Sequence, residues 1–209
     1  MIYAENILLC ILIPLLVSLL FITGRAKRFV LSFSIGMVVC LIAAYISGFA
    51  ELLADLEEFS ASVYISPIIE ELMKVLPLLF CFFVLKIEGH DLLLVAAGIG
   101  SGFATFENCC YLLTEGSEFF SYVLIRGLAV GIMHIVCILA FTLSLIVANR
   151  FRAMSFSSIC GCLALSMTYH GLYNLLVSQP GISASVGYAL PIVTVVYLYY
   201  EYRKYSNRN

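Results

Sequence analysis

Glu70 and Glu71 lie in SPIIEELMKVLPLL, Glu107 lies in GFATFENCCYLL, and His134 and His170 lie in two later apolar segments. An ionised side chain at bilayer depth costs roughly 3 kcal/mol on insertion scales, so it persists where it faces a partner or water. Three carboxylates and two imidazoles in such surroundings are the groups that water activation and proton transfer require. A carboxylate partly desolvated among apolar neighbours titrates closer to neutrality and can serve as a base there. Two histidines and a glutamate also make a catalytic zinc set, with water in the fourth position and a second glutamate as base. No HExxH pattern occurs, and the candidate ligands come from different segments.

The elements that must position these groups follow from composition. The chain is 63% hydrophobic and 11% charged, whereas soluble domains carry roughly 25% charged residues. A soluble protein of 209 residues could not hide that much apolar surface. Seven segments reach the length of about 20 residues that a bilayer demands, near 6–23, 29–50, 62–85, 91–113, 120–148, 156–177 and 183–200. The expectation is an all-α polytopic protein of the cell membrane. Residues 1–209 form one transmembrane domain with its core at about 62–177, partnered by lipid and not by nucleic acid.

Charge placement predicts the orientation. Nine of the eleven Lys and Arg fall in alternate connections or the tail: Arg25, Lys27, Arg28, Lys86, Arg150, Arg152, Arg203, Lys204 and Arg208. The other connections hold Glu51, Asp55, Glu57, Glu58, Glu115 and Glu118 without one basic residue. The positive-inside rule then puts the N-terminus outside and the C-terminus in the cytoplasm. RAKR follows the first segment, which has no basic start and no small-residue cleavage site, so a signal peptide is not expected there.

At about 1.5 Å per residue, Glu70, Glu71 and Lys74 lie roughly 12–18 Å below the outer boundary, with Glu107 and His170 about 9–10 Å below it. Arg126 falls at a similar depth, and His134 lies nearer the midplane. Phase agrees with depth. Lys74 can pair with Glu70 at i,i+4 or with Glu71 at i,i+3, and His170 shares a face with Asn174. Arg126 and His134 are within about 80° of each other around their helix. Gly98, Gly100, Gly102, Gly127 and Gly131 are expected to let helices approach closely. Pro67 and Pro77, either side of the glutamates, are expected to loosen their span and admit water.

EELMK at 70–74, FATFEN at 103–108, His134 and HGLYN at 170–174 occur in this order on successive spans. This set resembles the PrsW family of membrane-embedded proteases, within a wider group that includes the CAAX-processing proteases and a noncatalytic subunit of γ-secretase. The resemblance covers Pro67 to Asn174, and the EExxK and FxxxE patterns are closer to PrsW than to CAAX processing. It implies an endopeptidase acting near the outer face on a single-span membrane protein, such as an anti-sigma factor at its first cleavage. It also implies that Glu70 activates water, with Glu71 as its partner held by Lys74. His170 with Asn174 would meet the oxyanion, and His134 would do so too or orient the water. Glu107 would pair with Arg126 or a histidine. Catalysis without metal is the favoured expectation. Zinc is the alternative cofactor, and Glu107, His134 and His170 are its expected ligands.

Each feature has a plainer reading. Intramembrane histidines and asparagines often only bond across helices. Glu70–Lys74 could be a structural ion pair, and Arg126 a structural partner of Glu107. The eight cysteines, Cys109 and Cys110 included, read as small hydrophobes. Two other classes use the same residues: an ion- or proton-coupled carrier, and a noncatalytic scaffold. Against the carrier, no inverted repeat is visible and the polar residues gather in one layer.

Overall fold

The computed structural model describes residues 3–114, 120–150 and 156–206, with side chains as far as Leu113 and Tyr200 in the first and last stretches. Glu115, Glu118, Arg152 and Arg208, and the side chains of Arg203 and Lys204, lie outside the described residues. The elements are α1 (Ala4–Ser18), α2 (Gly24–Ala54), α3 (Glu58–Ser60), a π-helical turn (Ala61–Ile65), α4 (Ser66–Phe83), α5 (Gly89–Thr114), α6 (Phe120–Arg150), α7 (Phe156–Val177) and α8 (Ile182–Ser206). No strand occurs among the described residues. Each of the seven apolar segments coincides with a helix, the third being the π turn and α4 together.

Four of these helices are long and apolar enough to cross a membrane by themselves: Gly24–Ala54, Gly89–Leu113, Phe120–Arg150 and Ile182–Tyr200. Helix α1 has 15 residues, and α4 carries Glu70, Glu71 and Lys74 within 18. The surface is inverted relative to a soluble fold, in which charge faces water and apolar groups face inward. Glu71, Lys74, His134 and His170 are all at most 2% exposed, while Leu20, Phe21, Phe156 and Ile182 exceed 75%.

Helix α5 lies at the centre because its glycines admit neighbours on two sides. A Cβ on Gly102 would run into the Phe33 carbonyl of α2, and one on Gly36 of α2 would run into the Ile99 carbonyl of α5. Gly98 faces Ser32 on the same seam, whereas Gly100 faces Ile135 and Ile138 of α6. In lipid, such close approach replaces the hydrophobic drive that associates helices in water. Gly127 and Gly131, expected to act likewise, have open space around their Cβ positions. The buried stripe of α6 runs instead through Ala129, Val130, Met133 and Cys137.

The helix ends sort by charge. Arg25 and Arg28 pair with Asp91 at 3.2 and 2.5 Å, so the starts of α2 and α5 share one end of the bundle. Phe82, Gly89 and Arg150 line one cavity, which brings the ends of α4 and α6 to that same end. All eight cysteines are free, in accord with their reading as small side chains.

Candidate active site

The π turn before α4 is ended by Pro67. Its backbone pairing runs to the residue five ahead, and for the Ser62 carbonyl that residue is Pro67, which has no N–H. The Asn174 amide of α7 supplies the donor instead, at 2.9 Å from the Ser62 oxygen. Gly171, one helical turn before Asn174 on α7, lies against the Val63 carbonyl, where an added Cβ would come within 2.9 Å. Helix α7 is thereby clamped to the turn that delivers Glu70. Asn174 was expected to address the oxyanion; here its amide is directed to backbone, because an orphaned carbonyl in an apolar setting demands a partner.

Beyond that clamp, α4, α5, α6 and α7 each send a side chain to one point. Lys74 Nζ is 2.5 Å from Glu71 Oε1 and 2.9 Å from His134 Nδ1. It also lies 5.0 Å from the Phe103 ring centroid. Of the two pairings that helical phase allowed, the i,i+3 pair with Glu71 forms. Glu71 Oε1 also accepts from His170 Nδ1 at 2.9 Å. His134 Nε2 is 2.5 Å from Glu107 Oε2, and Arg126 reaches the other oxygen of Glu107 at 3.6 Å. The two imidazole rings meet edge to face at 5.0 Å. Arg126, His134 and Glu107 therefore converge as their depth and phase implied.

Donor and acceptor logic assigns the protons. An ammonium only donates, so His134 Nδ1 must accept from Lys74 and its proton resides on Nε2, directed at Glu107. Glu71 only accepts, so His170 donates to it from Nδ1, and the ring directs Nε2 toward Glu70. Glu70 Oε2 faces that nitrogen at 3.7 Å and has no hydrogen-bond partner. The 3.7 Å gap between these two atoms is a place for a bridging molecule or a cation.

Glu70 also lines a cavity of about 340 Å³, together with Ser62, Glu107, Tyr111, Tyr122, Arg126, Tyr173, Asn174 and Tyr188 among others. Arg126 stacks over the Tyr111 ring at 3.3 Å, and the Tyr111 and Tyr122 hydroxyls are 3.1 Å apart. Tyr122, Tyr173 and Tyr188 were not singled out from sequence. Tyr173 carried a usable signal, since it lies three residues after His170 and so shares its face. The other two were invisible because only the fold brings α6 and α8 to this wall.

A metal is compatible with the donor types, provided His134 gives up its bond to Lys74 or to Glu107 to free a ring nitrogen. Glu70, His134 and His170 each offer one ligand atom, all within 4.8 Å of one another. The expected set named Glu107 in place of Glu70. Glu107 is instead engaged by His134 and Arg126, and Glu70 is the carboxylate within reach of both rings. The Glu71–His170 bond supplies the outer carboxylate that commonly orients a ligating imidazole.

Apolar helices around a buried carboxylate–imidazole cluster with a polar cavity beside it define a multi-pass membrane protein. The chain belongs to the PrsW family of intramembrane metalloproteases, whose family model matches residues 25–200. Membership identifies it as a membrane protease in class. No curated protein and no solved structure matches the chain.

Proposed function

We propose that the protein is an intramembrane endopeptidase that cuts a single-span membrane protein, of the anti-sigma factor kind, near its outer end, with Glu70 as the base. The observation that carries the proposal is the unpartnered Glu70 Oε2 facing His170 Nε2 at 3.7 Å beside a polar cavity. A water bridging these atoms gives its proton to Glu70 as its oxygen attacks the scissile carbonyl carbon. The C–O bond forms and the carbonyl electrons move onto oxygen. Collapse of that oxyanion breaks the C–N bond, and Glu70 returns the proton to the leaving amine. Glu71, paired with Lys74, orients His170 through its Nδ1 so that Nε2 faces Glu70. The cavity lies on the side of Ser62 and Asn174, away from the basic end, which supports a cut at the outer end of a substrate helix.

A second reading has support in the triad of Glu70, His134 and His170 and in the family description. These residues would hold a zinc-type cation, which would polarise the carbonyl and acidify its water. Glu107 would then be the carboxylate left to accept a proton. Metal content and cleavage, measured together on purified protein in nanodiscs, separate the readings. Glu70→Gln and His170→Ala are each expected to lose on the order of 100-fold or more in rate, with Cys109→Ala near wild type. Cleavage should survive exhaustive chelation. A stoichiometric metal whose removal abolishes cleavage would transfer Glu70 from base to ligand, and a fully active Glu70→Gln would remove it from both roles. Mass spectrometry of the fragments locates the cut, and a cytoplasmic-side product would refute the outer-end assignment.

A further inference from the structure

Hydrolysis also needs a donor for the oxyanion, and the groups expected to provide it already make bonds elsewhere, Asn174 with one of its two amide N–H groups. His134 donates to Glu107, His170 donates to Glu71, and the Asn174 amide donates to the Ser62 carbonyl. Two residues that line the cavity nevertheless carry buried donors without partners. Tyr173 is 2% exposed, and its hydroxyl has no hydrogen-bond partner, as is also true of Arg126 Nε. Both residues line the cavity that Glu70 lines. Three residues of this wall thus carry buried, unpartnered polar atoms: the acceptor Glu70 Oε2 and the donors Tyr173 Oη and Arg126 Nε.

An acceptor for the attacking water and donors for the oxygen that becomes negative are what a tetrahedral intermediate requires. We propose that the Tyr173 hydroxyl, assisted by Arg126, is the oxyanion donor of the peptidase reaction and hence a catalytic residue; this rests on the peptidase reading above. The fold explains how Tyr173 comes to do this. Its ring packs on Ala129, Val130, Met133 and Cys137 of α6, and its position one turn after His170 puts it on the catalytic face of α7. The ring is thereby anchored at the cavity wall, with its hydroxyl the one polar atom of the side chain. Arg126, stacked on Tyr111 and paired loosely with Glu107, is held beside it.

The test uses full-length protein in nanodiscs and a reporter with one apolar helix, fluorophore and quencher flanking its outer end. Tyr173→Phe removes only an unpartnered oxygen, so its melting temperature should stay at or above wild type. Its kcat should fall about 100-fold while KM stays within about twofold, the pattern of an interaction made only in the transition state. Affinity for a peptide phosphonamidate, which mimics the tetrahedral anion, should fall by a similar factor. Arg126→Lys should fall in the same direction by less. If wild type cleaves, Glu70→Gln does not, and Tyr173→Phe keeps wild-type kcat and analogue affinity, the oxyanion assignment is overturned while the peptidase reading stands. If wild type does not cleave the reporter, the peptidase reading itself falls.

Discussion

Lys74 is the least expected participant at the residue scale, because an ammonium in an apolar interior is costly unless fully paired. Here it is paired with Glu71 and directed at His134, so it acts as an internal cation that sets the charge and tautomer of both imidazoles' surroundings. Removing one member of such a pair leaves the other buried and uncompensated. Glu71→Leu or Lys74→Met alone should therefore cost about 3–5 kcal/mol of stability. The double substitution should cost distinctly less than the sum, although it cannot restore activity. Thermal unfolding in a mild detergent measures this, and additive losses would show that the two residues are not energetically coupled.

Among the elements, α5 carries the greatest packing constraint, since its glycines meet α2 on one side and α6 on the other. Gly102 and Gly127 make a matched pair for test. A methyl group on Gly102 meets the Phe33 carbonyl, which is backbone and cannot rotate away, whereas one on Gly127 meets nothing. Gly102→Ala should then destabilise by about 1–3 kcal/mol through overpacking. Gly127→Ala should be neutral, or stabilise by up to about 1 kcal/mol through helix propensity. Because Glu107 lies on the same helix as Gly102, the first variant should also slow cleavage. Equal melting temperatures for the two would contradict the α2–α5 seam.

For the whole molecule, the charges at the bundle ends bear on its orientation. Arg25, Arg28 and Arg150 gather at the end opposite the clamp between Ser62 and Asn174. The positive-inside rule makes the basic end cytoplasmic. In a cysteine-free background, Glu57→Cys should react with an impermeant maleimide from outside, and Lys86→Cys only after permeabilisation. Reaction of both from one side would refute the orientation and with it an outward-opening cavity.

The sequence by itself determined that the chain is helical and belongs in a membrane, because both follow from local quantities: runs of apolar residues and the backbone's need to satisfy its own hydrogen bonds in lipid. It also carried the cluster's membership. Glu70, Glu71, Lys74, Glu107, Arg126, His134 and His170 announce themselves as polar residues at shared depth, and their face on each helix follows from a fixed period. Who bonds to whom was a different matter. Phase allowed Lys74 either glutamate, allowed either Glu70 or Glu107 beside the histidines, and gave Asn174 no preferred partner. Those choices depend on how far each helix is rotated and shifted against its neighbours, which the Gly36–Gly102 seam, the π turn before Pro67 and the Tyr173 contact with α6 decide together. Such offsets arise from packing between residues far apart in the chain, so only the tertiary structure could select Glu71 for Lys74, turn Asn174 to Ser62 and leave Glu70 facing His170.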